Sequence, residues 1–99
     1  MHKALLLLRK IPKGKVTTYG NLARVTGSSP RAIGQVMRTN SRPDLYPCYK
    51  VIQSSGNLGG YCGSKKGPKI KRKICLLKKD GVIVKNNKVN KKFFYYFVN

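Results

Sequence analysis

Prolines and glycines divide this 99-residue chain into short segments, so each of its helices can have only a few turns. Thr18 can cap a helix at residues 19–25, and Thr26-Gly27 ends that helix. Ser28-Ser29 then supplies an N-cap, and Pro30 stands at the first position of another helix, at residues 30–38. Two short helices joined by a glycine-containing turn predict a helix-turn-helix.

The remaining segments add two helices and little β structure. Pro12 ends a helix at residues 3–10, because proline forces the residue before it out of the helical region. Residues 68–79 begin with proline and repeat apolar residues at helical spacing. Residues 16–18 are a short β-branched run, and residues 48–52 are predicted to form a buried strand or extended segment. The expected fold class is α+β, mostly α with a small β element.

The charge balance points to a polyanionic partner. Lysine and arginine number 22 against two acidic residues, which gives a net charge of +20. Self-repulsion on this scale opposes folding unless a partner neutralises it, and nucleic acid is the favoured partner. On the last helix we expect the basic side chains to face water or phosphate: Lys69, Lys71, Arg72, Lys73 and Lys78.

Other features narrow the compartment and the chemistry. The longest apolar run has five residues, at 4–8, whereas a membrane-spanning helix needs about 20, so we expect no membrane partner. The three cysteines are odd in number and widely spaced: Cys48, Cys62 and Cys75. This favours a protein of the reducing cytoplasm, either free or associated with the nucleoid. The only histidine, His2, lies at the chain terminus, which disfavours ordinary Cys-His catalysis and zinc hydrolysis. We expect neither a metal nor a cofactor.

Cys48 is the best candidate for chemistry. It follows Pro47 and has Lys50 two residues downstream. A stiff backbone and a positive local potential are the setting that lowers the pKa of a thiol and makes it a nucleophile. The alternative is a buried structural thiol, and packing is our interpretation of Cys62 and Cys75.

Five motifs in a fixed order carry a family resemblance. They are Ile11-Pro12-x-Gly14-Lys15-Val16-x-Thr18-Tyr19-Gly20-x-Leu22-Ala23, then Arg31-Ala32-Ile33-Gly34, Asn40, Pro47-Cys48-x-x-Val51-Ile52 and Gly56-x-Leu58-Gly59-Gly60-Tyr61-x-Gly63. In order and spacing, residues 5–81 resemble the DNA-binding, alkyl-accepting C-terminal domain of the O6-alkylguanine-DNA alkyltransferases, a winged-helix-like fold. Since the family's usual N-terminal domain is missing, we expect a minimal, single-domain version.

The resemblance also divides the chain. Residues 1–81 are assigned to the alkyltransferase domain and residues 82–99 to a basic, aromatic C-terminal extension. This extension either pairs as a terminal hairpin or covers one edge of the core of the same domain.

The resemblance implies DNA repair by direct, irreversible alkyl transfer. The acceptor is Cys48, and the donor is O6-alkylguanine, or O4-alkylthymine, flipped out of double-stranded DNA that a monomer holds through the minor groove. This is the activity of a single-turnover methylated-DNA--protein-cysteine S-methyltransferase. Two alternatives stay open: an alkyltransferase-like protein that binds and flips alkylated guanine without transfer, and a helix-turn-helix architectural protein in which Cys48 only packs.

Site residues follow from the same resemblance. Arg31 resembles the arginine that fills the vacated base stack, Tyr19 the tyrosine that presses on the neighbouring phosphate, and Asn40 the asparagine that pins the turn near the active site. The other implied DNA-binding residues are Gly20, Ala32, Gly34, Arg38 and Ser54, and the implied substrate pocket comprises Met37, the backbone of Val51, Tyr61 and Cys62.

Two positions depart from the family pattern. The family has histidine directly after the cysteine, passing the thiol proton through water towards a glutamate, whereas this chain has Tyr49 and Asp80. Tyrosine, with a pKa of about 10, is a poor base. Our hypothesis is that the positive field, including that of Lys50, activates Cys48, while the Tyr49 hydroxyl forms a hydrogen bond to Asp80.

Overall fold

The structure is a computed structural model that describes residues 2–59 and 67–98. Its α-helices are Lys3–Leu8 (α1), Tyr19–Thr26 (α2), Pro30–Arg38 (α3) and Pro68–Lys79 (α4), and its strands are Thr17–Thr18 (β1), Val51–Ile52 (β2), Val84–Lys85 (β3) and Lys88–Val89 (β4). The predicted mostly α fold with a small β element is confirmed. In this described part of the chain, no helix has the length and apolar character needed to cross a membrane.

The predicted capping residues begin α2 and α3. The Thr18 hydroxyl accepts a hydrogen bond from the backbone N–H of Asn21 at 3.0 Å, and the Ser29 hydroxyl accepts one from Ala32 at 3.1 Å. Gly27 ends α2 in the left-handed conformation, with φ of 68°, which glycine adopts without steric cost. The predicted helix-turn-helix is therefore present.

Two small sheets join distant parts of the chain. Strand β1 pairs in parallel with β2, with Thr17 opposite Val51 and Thr18 opposite Ile52. This pairing places the start of α2 beside the end of the segment that contains Cys48. The strand or extended segment predicted at residues 48–52 is right for Val51–Ile52 and wrong for Cys48–Lys50, which forms a 3₁₀ helix.

The C-terminal residues pack against the rest of the molecule. Strands β3 and β4 form an antiparallel hairpin. Farther along, Val16 donates a backbone hydrogen bond to the carbonyl of Phe93 at 2.8 Å and accepts one from Tyr95 at 2.6 Å. The side chains of Phe94 and Phe97 are buried in the core. Both alternatives for the extension hold in part: residues 84–89 form a hairpin and residues 93–97 cover the core edge beside β1.

Lys73 contradicts our expectation that it faces water or phosphate. Its side chain is fully buried, and its ammonium donates hydrogen bonds to the carbonyls of Val51 at 2.8 Å and Leu58 at 2.6 Å. A buried ammonium needs such partners, since burial without hydrogen bonds is costly. The position belongs to the inward face of α4, three residues after the buried Ile70 and four before the buried Leu77.

Candidate active site

Cys48 lies in the interior, at the beginning of the 3₁₀ helix. Only 4% of the residue is exposed. Its backbone N–H donates to the carbonyl of Tyr46 at 2.7 Å, and the N–H of Lys50 donates to the carbonyl of Pro47 at 3.1 Å. These bonds close a tight turn around Pro47, and the turn fixes the backbone that carries the thiol.

Asn40 holds the loop that leads to this turn. Its side-chain amide donates to the carbonyl of Tyr46 at 2.8 Å, and its side-chain oxygen accepts from the N–H of Arg42 at 3.0 Å. The Tyr46 carbonyl therefore receives both the Asn40 side chain and the backbone of Cys48. Asn40 connects the end of α3 to the start of the cysteine turn.

Tyr19, the first residue of α2, lies close to the thiol. Burial, and secondarily the charge of Cys48, raise the pKa of Tyr19 to about 12. At neutral pH its hydroxyl therefore keeps its proton and can donate a hydrogen bond. A Cβ added at Gly59 would lie 3.4 Å from the Tyr19 ring, so a glycine there leaves room for the tyrosine.

A cavity of about 460 Å³ opens between the two helices of the helix-turn-helix and the loop after β2. It is lined by Tyr19, Pro30, Arg31, Gly34, Gln53, Ser54 and Gly59. Four residues predicted to bind DNA are thus brought together: Tyr19, Arg31, Gly34 and Ser54.

The other predicted site residues lie around this cavity or behind it. Gly20 backs it, because a Cβ there would come within 3.0 Å of the Ser54 hydroxyl. Ala32 and Arg38 do not line it, and Arg38 is exposed at the end of α3. The side chains of Met37 and Val51 are buried in the core rather than facing the cavity. Tyr61 and Cys62 lie outside the described residues.

Asp80 forms a buried ion pair with Lys50. The Lys50 ammonium lies 2.9 Å from Asp80 Oδ2, and the two side chains are 7% and 13% exposed. The same carboxylate oxygen accepts from the N–H of Gly14 at 2.9 Å, while Lys50 also donates to the carbonyl of Pro12 at 3.1 Å. The pair ties the loop after α1 to the end of α4.

This ion pair corrects our hypothesis about activation. Within residues 2–59 and 67–98, Asp80 accepts from Lys50 and Gly14 and makes no hydrogen bond to Tyr49. Burial, and then the charge of Asp80, raise the pKa of Tyr49, so its phenol stays protonated and cannot act as a base. Activation of Cys48 by the positive field stays a prediction.

Lys73 supports the candidate site from the core, and the sequence analysis placed it wrongly on the exposed face of α4. The two carbonyls it binds, those of Val51 and Leu58, flank the loop at residues 53–57, and this loop contributes Gln53 and Ser54 to the cavity. The sequence signal for its burial was its position on the apolar face of α4, between Ile70 and Leu77. The many neighbouring lysines and arginines made that signal hard to recognise. In the described part of the chain, no cluster of three or more His, Cys, Asp or Glu side chains could hold a metal ion.

With the geometry established, comparison with known proteins identifies the family. Residues 1–82 match the family model for the DNA-binding domain of 6-O-methylguanine DNA methyltransferase. The chain belongs to this family. The resemblance stated from the five motifs is confirmed.

Three relatives show how the chain compares in length. The methylated-DNA--protein-cysteine methyltransferase of Pyrobaculum aerophilum is 46% identical over 72 residues, which cover 73% of this chain and 47% of the relative. The crystal structure of O6-methylguanine-DNA methyltransferase from Pyrococcus kodakaraensis has a TM-score of 0.69 at 36% identity, covering 81% of this chain and 44% of that one. The chain therefore spans about half the length of these methyltransferases.

The third relative is a protein of similar size. S. pombe Atl1, in complex with damaged DNA containing O6-carboxymethylguanine, has a TM-score of 0.79 at 28% identity. The match covers 94% of this chain and 91% of the Atl1 chain. The fold likeness to Atl1 thus extends over nearly the whole of both molecules.

Proposed function

We propose that this protein repairs double-stranded DNA by moving an alkyl group from the O6 atom of guanine to the sulfur of Cys48. The observation that carries the proposal is the position of the buried Cys48 thiol close to Tyr19, which lines the cavity that Arg31 borders. Family membership and the names of the methyltransferase relatives support the same reaction.

The damaged base must leave the helix to reach the thiol. Inside a duplex, stacked neighbours shield the O6 alkyl carbon, and extruding the nucleotide costs a few kcal/mol. Arg31 is exposed near the start of α3 and borders the cavity, so its side chain is placed to fill the gap in the stack. Gly34, farther along α3, would have no atom within 4 Å of an added Cβ, which leaves this face open to a DNA groove.

The transfer itself is a substitution at the alkyl carbon. The Cys48 thiolate forms the new S–C bond as the C–O6 bond breaks, and the electron pair stays on the guanine. The proton lost by the thiol is balanced by the proton that the guanine gains. Tyr19, protonated at neutral pH, can donate a hydrogen bond to negative charge in the cavity. The product is a thioether, so each molecule acts once.

Charge supports the choice of DNA as partner. The chain has only two acidic residues, Asp44 and Asp80, and each is paired: Asp44 with Arg42 and Asp80 with Lys50. Almost all of the positive charge therefore lacks an internal carboxylate partner. A phosphate backbone supplies the missing counter-charge.

A second candidate function is recognition of alkylated guanine without transfer. The full-length likeness to Atl1, a protein seen with alkylated DNA, favours it, as does Tyr49 in place of the family's histidine. The presence of Cys48 favours transfer, because alkyltransferase-like proteins typically replace the cysteine. Transfer is our main proposal.

Intact-mass measurement separates these two functions. After incubation with a duplex containing O6-methylguanine, transfer adds one CH₂ unit to each molecule, because methyl replaces the thiol hydrogen. Cys48→Ser should bind the duplex and gain no mass, while the matched control Cys75→Ser, at an exposed thiol, should react like the parent protein. A parent protein that binds the lesion but keeps its mass would support recognition alone.

A further inference from the structure

A basic surface lies outside the part of the chain that matches the family model. We define the lysine hairpin as the side chains of Lys85, Lys88, Lys91 and Lys92, which lie on β3, on β4 and on the 3₁₀ helix that follows. They line a cavity of about 560 Å³ together with the apolar side chains of Ile83, Val89 and Phe93. Four lysine side chains and three apolar side chains thus line the same cavity.

Backbone contacts fix the position of the β3–β4 hairpin that carries Lys85 and Lys88. Asn86 and Asn87 have φ of 53° and 58°, the conformation of a two-residue type I′ turn, which matches the twist of the flanking strands. Leu58 donates its N–H to the carbonyl of Asn87 at 3.1 Å, and Val89 donates to the carbonyl of Gly56 at 2.9 Å. The hairpin is therefore held against the loop at residues 53–59.

Within residues 2–59 and 67–98, these lysines form no ion pair with a carboxylate. The only two acidic residues of the chain, Asp44 and Asp80, are paired with Arg42 and Lys50. Four exposed lysines that line one cavity repel each other, and bound anions relieve that repulsion. The surface is therefore built for a ligand with several negative charges.

The loop at residues 53–59 connects this surface to the proposed active site. Ser54 and Gly59 line the cavity beside Tyr19, while Asn57 of the same loop forms a β-bridge with Lys88. Asn57 is three positions after Ser54, a reach of at most about 11 Å. Phosphates follow one DNA strand at about 3.4 Å of helix rise, so this reach corresponds to about three nucleotides.

We propose that the lysine hairpin binds the phosphodiester backbone of the damaged duplex, a few nucleotides from the flipped base. The inference rests on the proposed function, because it takes the DNA held at the helix-turn-helix as the occupant. Its lysines neutralise phosphates without reading sequence, and they hold the duplex at a second place while the nucleotide is extruded.

The test compares a variant that lacks the four hairpin charges with a control variant that lacks four charges elsewhere. In the first variant Lys85, Lys88, Lys91 and Lys92 become glutamine. The matched control carries Lys3→Gln, Lys10→Gln, Lys13→Gln and Lys79→Gln, which are exposed positions that do not line the hairpin cavity. Affinity for a duplex with one O6-methylguanine is measured over a range of salt concentrations.

The slope of log K against log salt gives the number of phosphates contacted. Each lost phosphate contact flattens this slope by about 0.9. We expect the hairpin variant to lose about two to four contacts and the control variant fewer than one. Transfer from the free O6-methylguanine base should be unchanged in both, since that reaction needs no grip on a backbone.

Three results would overturn the inference. They are a slope for the hairpin variant equal to that of the parent protein, a slope loss of equal size in the hairpin and control variants, and unchanged DNA binding together with lost binding to phosphatidylserine vesicles. If the parent protein gains no mass from the lesion, the proposed transfer is contradicted instead. The salt dependence of DNA binding by the parent and its variants still tests the lysine hairpin in that case. Thermal unfolding by circular dichroism checks folding, and the double variants Lys85→Gln/Lys88→Gln and Lys91→Gln/Lys92→Gln serve if the quadruple variant unfolds.

Discussion

The two sides of the active site are built differently. On the inner side, residues 48–52 form what we call the acceptor segment. Its buried Lys50 pairs with Asp80, and the buried Lys73 donates a hydrogen bond to the carbonyl of Val51. On the outer side, Arg31 borders the cavity from an exposed position on α3. In our proposal, the inner side holds the nucleophile Cys48 in place, whereas the outer side contacts the DNA. Substitutions on the inner side should therefore cost stability, and those on the outer side should cost reaction with duplex DNA.

The largest effect on stability is expected for Lys73→Ala. Its removal leaves the carbonyls of Val51 and Leu58 without that donor and opens a cavity, which we expect to lower the free energy of unfolding by about 3–5 kcal/mol. Urea unfolding measures the loss. The control Lys71→Ala, on the exposed face of the same helix, should leave stability nearly unchanged. Equal losses for the two variants would contradict the role of Lys73.

The next effect is expected for Asp80→Asn, which keeps the shape of the side chain and removes its charge. Lys50 would stay buried without its carboxylate, at a cost of about 2–3 kcal/mol of unfolding free energy. The chain offers a matched control in Asp44→Asn, whose ion pair with Arg42 is exposed to solvent and should contribute nothing measurable. If urea unfolding gave the same midpoint for both variants, the inner ion pair would not support the acceptor segment.

Tyr19 stands between the two sides, and its titration provides a test. The pKa of its phenol is raised from 10.0 in the unfolded chain to about 12 in the folded protein. The stabilisation is complete below pH 10 and is lost as the pH rises towards 12, because only the unfolded chain ionises in that range. Removing this titration with Tyr19→Phe should make the variant gain about 2 kcal/mol relative to the parent between pH 10 and pH 12. A pH-independent difference in unfolding free energy would show that Tyr19 is not buried beside the thiol.

The smallest effect on stability is expected on the outer side, for Arg31→Ala. Its unfolding should match that of the parent protein, while transfer from duplex DNA should slow by about tenfold or more, since the gap left by a flipped base is no longer filled. Transfer from free O6-methylguanine base should keep its rate, and Arg31→Lys should recover part of the duplex reaction. Reactions quenched at successive times and analysed by mass spectrometry give both rates. Equal slowing with duplex and free base would contradict the flipping role.

Local signals predicted the outer side well. The caps at Thr18 and Ser29 and the glycine at position 27 act within a few residues of the chain, so they define α2 and α3 without knowledge of the rest. These two helices already hold Tyr19, Arg31 and Gly34, which the structure brings to one cavity. The helix-turn-helix prediction was therefore confirmed.

The inner side depends on contacts between distant residues, and the sequence pattern did not reveal them. Lys50 and Asp80 are thirty positions apart, and Lys73 binds carbonyls 15 and 22 positions away. Among 22 cations, a buried lysine has no distinguishing mark except its place on an apolar helix face. The aromatic run at residues 93–97 gave two alternatives for the same reason, since its partner strand begins near Val16.

Site mapping of the alkyl group tests the central claim most directly. The protein is incubated with duplex DNA that contains isotopically labelled O6-methylguanine, digested, and analysed by peptide mass spectrometry. The account predicts one labelled methyl group per molecule, on the peptide that contains Cys48, with unmodified guanine restored in the DNA. Label on Cys62 or Cys75, or DNA whose O6-methylguanine is bound but intact, would contradict it.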